Sequence, residues 1–210
     1  MIDPSTTREE HTVTRFDITE TNIAVRRLIE TTENPRHWYL LQAYDRHRNL
    51  EMAGRYEEIF APEMTVEEPV YHFCHLGRSF TLHGAEAVQA VYRTWTETAQ
   101  CVFYAHDELL AVSDNMVVST STLYQQTPGV VLASEGVPVD PDATYLVKSA
   151  EHMIWPYDDR GRLIGEDVWE YDETAREIIA LDPADVLTVE QSRKLLDPLI
   201  NPLPDNPFLA

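Results

Sequence analysis

Four extended stretches in succession, 102–112, 116–126, 144–155 and 162–171, most limit what this chain can fold into. Turn signals divide them: Ser113-Asp114-Asn115 between the first two and Asp158-Asp159-Arg160-Gly161 before the last. Residues 127–143 read as a loop. The chain ahead of these strands has a different period. Residues 18–32 carry Ile23, Leu28 and Ile29 among charges, a short amphipathic helix in an N-terminal arm. Asn34-Pro35 supplies an N-cap and a proline at the first helical position, and Trp38, Leu41 and Tyr44 then share a face. A second helix is expected over 51–60, with Met52, Tyr56, Ile59 and Phe60 on one side and Ala61-Pro62-Glu63 as its stop.

At residues 64–70 the apolar period drops to two, as in a strand, with Pro69 marking an edge or a bulge. Residues 78–83 form the returning strand. Gly84 opens a third helix with Val88, Val91, Tyr92 and Trp95 at helical spacing. A helix over 186–196 precedes a tail interrupted by Pro198, Pro202, Pro204 and Pro207, expected to lie extended on a surface. Helix, helix, strand pair, helix and four strands describe an α+β fold with a meander. The organisation read from this is an arm at 1–34, one domain at 35–175 and a proline-rich extension at 176–210.

Composition narrows the partners. With 36 acidic against 16 basic residues the formal charge is -20, and such a surface repels phosphate backbones and anionic lipid head groups. Nucleic acid and membrane are not expected partners. Residues 1–10 lack the charged-then-apolar order of a secretion signal, so a cytoplasmic location is expected. Cys74 and Cys101 are too few and too far apart for a disulfide framework or a zinc site. His72, His75 and His83 match no standard zinc spacing either, and no metal is expected.

Two carboxylates stand out because strict alternation puts them among apolar residues. Glu68 shares a strand face with Met64, Val66 and Val70, and Glu151 shares one with Tyr145, Val147, Met153 and Trp155. Both are expected to face inward, His152 outward. A carboxyl in an apolar setting finds partners or keeps its proton. Either state serves acid/base chemistry, although pairing with an arginine is the commoner fate of any single buried carboxylate. Tyr44 is expected to reach the same interior from its helix. Trp38, Trp95 and Trp155 are candidate pocket walls, and Asp167, grouped with Leu163, Trp169 and Tyr171, is a further acid that would point in.

Gln42-Ala43-Tyr44, Ile59-Phe60-Ala61-Pro62-Glu63 and Thr65-Val66-Glu67-Glu68-Pro69-Val70 resemble the opening of the ketosteroid isomerases and the wider SnoaL-like group of the NTF2-like superfamily. Ala150-Glu151-His152-Met153 is similar to a later strand of that family, and Gly84 and Asp159-Arg160-Gly161-Arg162-Leu163 fit the superfamily pattern. The resemblance spans roughly residues 36–172. It implies a cone-shaped, cystatin-like fold with a curved antiparallel sheet packed by three helices around a pocket. It also implies a cofactor-independent isomerase or lyase acting on a hydrophobic cyclic, polyketide-like or steroid-like carbonyl compound. Tyr44 then falls on an oxyanion-hole tyrosine, Glu68 on the general base and Glu151 on a protonated second oxyanion-hole acid. Relatives pair through the open sheet face, so a homodimer is expected, with the tail strapped across the partner. Two other readings stay open. Tyr44-Asp45 resembles the tyrosine–aspartate pair of scytalone dehydratase, which makes Asp45 and His106 candidates for a dehydratase or cyclase. The superfamily also includes proteins that only bind a ligand or dimerise.

Overall fold

The computed structural model describes residues 17–208; the first part of the expected N-terminal arm lies outside the described residues. In chain order the elements are α1 (Ile23–Thr31), α2 (Pro35–Met52), β1 (Thr65–His75), β2 (Arg78–His83), α3 (Ala85–Glu97), β3 (Phe103–Val112), β4 (Met116–Pro128), α4 (Gly129–Ser134), β5 (Thr144–Pro156), β6 (Leu163–Glu170), β7 (Glu177–Ala180) and α5 (Val189–Leu196). Short 3₁₀ turns occupy Ile18–Glu20 and Tyr56–Phe60.

One sheet runs in the order β2-β1-β6-β5-β4-β3, with β7 pairing the start of β5. All pairings are antiparallel except β1 with β6. The four strands 102–171 and the hairpin 64–83 fall where the sequence puts them, and β7 and α4 are additions it did not signal. Two bulges bend the sheet. Between Thr65 and Val70 the β1 strand advances five residues while β6 advances from Leu163 to Gly165, and β3 gains one residue on β4 between His106 and Leu109.

Helix α2 is the structural axis, with eleven of its 18 residues buried. Asn34 caps it by accepting from the backbone N–H of Arg36 and His37, with Pro35 in the first turn. It does not end near residue 50 but continues to Met52. The expected second helix at 51–60 is therefore the last turn of α2 followed by a 3₁₀ turn.

Both terminal segments pack onto this axis. Ile18 and Val25 belong to the main core, and Asn22 donates to the Asp45 carboxylate at 2.9 Å. At the other end Ser192 donates to the carbonyl of Met52 at 2.7 Å, and Arg193 to those of Ala53 and Gly54, satisfying carbonyls that the end of a helix leaves open. The tail then returns along α2 until Phe208 meets Tyr39 and lies under the Arg36 guanidinium. It straps this chain's own helix.

Gly165 marks the tightest crossing in the sheet: a Cβ there would sit 1.8 Å from the carbonyl oxygen of Val70 in β1. We expect Gly165→Ala to cost about 3 kcal/mol, the upper range of overpacking. Thermal unfolding should show this as a fall of about 6–12 °C, taking about 2–4 °C per kcal/mol for a chain of this size; an unchanged midpoint would refute the close approach.

Candidate active site

The concave face of the sheet, α2 and α3 enclose a cavity of about 560 Å³. Its walls are largely apolar: Phe73, Phe103, Leu123, Met153 and Val168 from the strands, with Val91 and Trp95 from α3 and Trp155 from β5. Val131 of α4, Leu76 and the more exposed Arg78 and Phe80 lie on the side of the β1–β2 turn.

Its ionisable lining is Arg48 and Glu51 from α2, Glu151 from β5 and Glu166 from β6, with His75, Arg78 and Glu135 on the side of the β1–β2 turn. Arg48 and Glu51 follow Tyr44 at i+4 and i+7, hence on one side of the helix. Arg48 is 1% exposed and donates to Glu108 at 2.5 Å and to the Tyr44 hydroxyl at 2.7 Å, while Tyr44 donates to Glu108 at 2.9 Å. Burial works against the Arg48 charge, but Glu108 and Tyr44 outweigh it and raise its pKa. Burial likewise pushes the neighbouring His47 down to about 3, helped by Arg48, so His47 is neutral.

Glu51 and Glu166 are the acids with shifted protonation. Burial pushes Glu51 up to about 8, with Arg48 pulling the other way. Burial and then the charge of Glu51 raise Glu166 well above the usual carboxylate range. Near neutral pH the pair holds protons that ordinary glutamates would have lost, and the two titrate as a unit.

Glu151 is fully buried and differently placed. Ser149 donates to its Oε1 at 2.7 Å, and His75 Nδ1 lies 3.1 Å from the same oxygen. Among the described residues, Oε2 of Glu151, Nη2 of Arg48 and Nε1 of Trp155 have no hydrogen-bond partner, and all three side chains line the cavity. Leu76 adopts φ 52°, unusual for a leucine, and Gly77 follows at φ 72°, the paired positive angles of a tight hairpin turn. Buried Glu170 fixes this turn by accepting the N–H of Leu76 at 3.1 Å while ion-paired with Arg176.

Among the sequence candidates, Glu151, Trp95 and Trp155 line the cavity. The others are placed elsewhere. Glu68 is exposed, because the bulge at 65–70 resets the alternation of β1 and turns Tyr71, Phe73 and His75 inward instead; its carboxylate lies against Gly84 at the start of α3. Asp167 is half-exposed, 3.9 Å from His72, because β6 changes phase at Gly165 and turns Glu166 and Val168 in, leaving Trp169 56% exposed. Tyr44 is buried, but its hydroxyl is committed to Glu108 and Arg48 rather than fronting the cavity. Asp45 faces the N-terminal segment, tied to Asn22 and Arg26. His106 lies on the outer side of β3 beside Asp107, and Trp38 is half-buried away from the cavity.

One open, bent sheet with helices packed around such a cavity makes an α+β fold. Solved structures similar to this chain include an NTF2-like protein from Anabaena variabilis ATCC 29413 (9% identity, 68% of this chain and 95% of that one, TM-score 0.49). A protein from Jannaschia sp. CCS1 described as a SnoaL-like polyketide cyclase is also similar (13% identity, 66% and 90%, TM-score 0.48). So is SalBIII, an epoxide hydrolase/cyclase-like enzyme with a role in pyran ring formation in polyether salinomycin (12% identity, 70% and 98%, TM-score 0.45). No family model matches the sequence, and no curated protein does. Among the described residues no helix is long and apolar enough to cross a membrane.

The raised pKa of Glu51 gives stability a definite pH dependence. Between the ordinary glutamate value of 4.5 and about 8 the folded chain holds a proton that the unfolded chain releases, so this group makes stability fall as pH rises across that window. Glu51→Gln removes that contribution. Thermal unfolding at about pH 5 and about pH 9 should show the variant gaining on the wild type at the higher pH, each 1 kcal/mol being worth about 2–4 °C. A gap that does not change with pH would place an ordinary carboxyl at Glu51.

Proposed function

We propose that the protein is an acid/base enzyme, an isomerase, lyase or cyclase, acting on a hydrophobic cyclic or polyketide-like carbonyl compound held in this cavity. The observation that carries the reading is the Glu51–Glu166 pair: two carboxyls in one apolar cavity, with raised proton affinity and a buried guanidinium beside one of them.

The roles follow from the surroundings. Glu51, whose carboxylate form Arg48 favours, takes the proton from the carbon next to the carbonyl. Glu166, held protonated by burial and by the charge of Glu51, donates a hydrogen bond to the carbonyl oxygen as it becomes an enolate. Return of the proton at another carbon is an isomerisation, loss of a β-substituent is an elimination, and attack by the enolate carbon on a second carbonyl closes a ring. Arg48 is fixed by Glu108 and acts on Glu51 through its charge.

The test is hydrogen exchange. A panel of hydrophobic cyclic ketones in deuterated buffer, followed by NMR, should show α-hydrogen exchange accelerated by the wild-type protein. Glu51→Gln should slow it by about 10²–10⁴-fold, the usual worth of a positioned base, and exposed Glu68→Gln should leave it unchanged. Full exchange in Glu51→Gln would overturn the assignment, and tight binding without exchange would leave a carrier.

We further propose that a second copy covers the outer sheet face, where Ile154, Trp169 and Tyr171 are 40%, 56% and 46% exposed and His152 packs on Tyr171. Light scattering should find a dimer that Trp169→Glu converts to monomer. A monomeric wild type would refute this.

A further inference from the structure

The acid pair is not the only polar station in the cavity, and the sheet register fixes how far away the second one lies. Glu151 stands opposite Glu170, and Ile154 opposite Asp167. Glu166 is therefore four residues along β6 from the level of Glu151, which is about 13 Å at about 3.3 Å per residue. Glu166 lies level with the far end of β5, and Glu151 lies level with His75 and the β1–β2 turn. Between these levels the sheet presents Met153 and Val168, both apolar. The cavity thus has two polar ends and an apolar waist.

The chemistry of the second end is set by what already binds it. Oε1 of Glu151 takes the Ser149 hydroxyl and lies against His75, so one face of the carboxyl is engaged. Oε2 is buried, belongs to a side chain that lines the cavity, and has no partner among the described residues. A buried acceptor without a donor carries a desolvation cost that a ligand's donor removes. A hydroxyl supplies that donor on an otherwise apolar molecule, which matches the apolar walls around it.

We infer that Glu151 and His75 form a recognition site for a substrate hydroxyl, and that the substrate is an elongated, mostly apolar molecule with a carbonyl at one end and a hydroxyl at the other. This inference rests on the acid/base reading for the carbonyl end alone. Glu151 positions the molecule so that the carbon to be deprotonated lies at Glu51, and it takes no part in the proton transfer.

The probes are a rod-shaped biphenyl carrying an acetyl group at one end and a hydroxyl at the other, and the same ketone with a methyl in place of the hydroxyl. Binding is read from quenching of tryptophan fluorescence and by calorimetry. In the wild-type protein the hydroxyl should tighten binding by about 10-fold, the worth of one hydrogen bond to a buried oxygen that otherwise lacks a partner. Glu151→Gln should reduce that discrimination to below about 3-fold, whereas Glu166→Gln should keep it. Equal binding of the two ketones by the wild type, or binding of neither, overturns the inference without needing any variant to fold. Discrimination retained without α-hydrogen exchange would defeat the catalytic reading alone, and exchange without discrimination would defeat the hydroxyl site alone.

Discussion

The buried contact between Arg48 and Glu108 is the constraint around which the interior is arranged. Both side chains are almost wholly out of solvent, at 1% and 2% exposure, and Tyr44 closes the triangle. An ion pair in such a place is held by geometry more than by net energy, because desolvation offsets much of its attraction, yet leaving either partner alone costs about 3–5 kcal/mol. That contact fixes a cation in the wall of the cavity. Its charge favours the carboxylate form of Glu51 against the burial that raises that group's pKa.

The pair exists only because β3 is irregular. Phe103 and Ala105 face inward, and strict alternation would send Asp107 and Leu109 after them. Instead Asp107 takes φ 52° and one extra residue enters the strand, so Glu108 turns in and Leu109 is left 71% exposed. The bulge in β1 works the same way. It moves Glu68 out, brings Phe73 and His75 in, and matches the Gly165 crossing after which Glu166 rather than Asp167 faces the helices. Four acids that define or exclude a site, Glu68, Glu108, Glu166 and Asp167, owe their direction to these two faults in pairing.

This explains which parts of the molecule were legible in its sequence. Local signals held: Asn34-Pro35 starts α2, Gly84 precedes α3, Ser113-Asp114-Asn115 turns β3 into β4, and Glu151 faces inward on the unbroken middle of β5. Glu68, Asp167 and His106 were misplaced or left unresolved because a phase change in a strand depends on a partner strand distant in sequence, which alternation cannot register. Pro69 was a visible warning of the first bulge. Arg48 and Glu51 were readable in principle, being one and two helical turns beyond Tyr44 on the same face. They were missed because the helix face was followed only through Trp38, Leu41 and Tyr44 and Glu51 was assigned to a separate helix; the end of α2 at Met52 is held by Ser192 and Arg193 from far along the chain.

Charge links the exterior to this interior. The surface of a chain with formal charge -20 repels carboxylates and phosphates before they reach the cavity, and the same field adds to burial in favouring protonated acids within it. A protonated carboxyl presents a hydrogen-bond donor rather than a second negative charge. It therefore suits the oxygen of a neutral carbonyl compound and not an anion. Apolar walls then supply affinity without setting orientation, since dispersion and burial are indifferent to direction. Orientation has to come from the few polar groups in the wall: Glu166 at one level of the sheet, and Glu151, with its open Oε2, four residues away at the other.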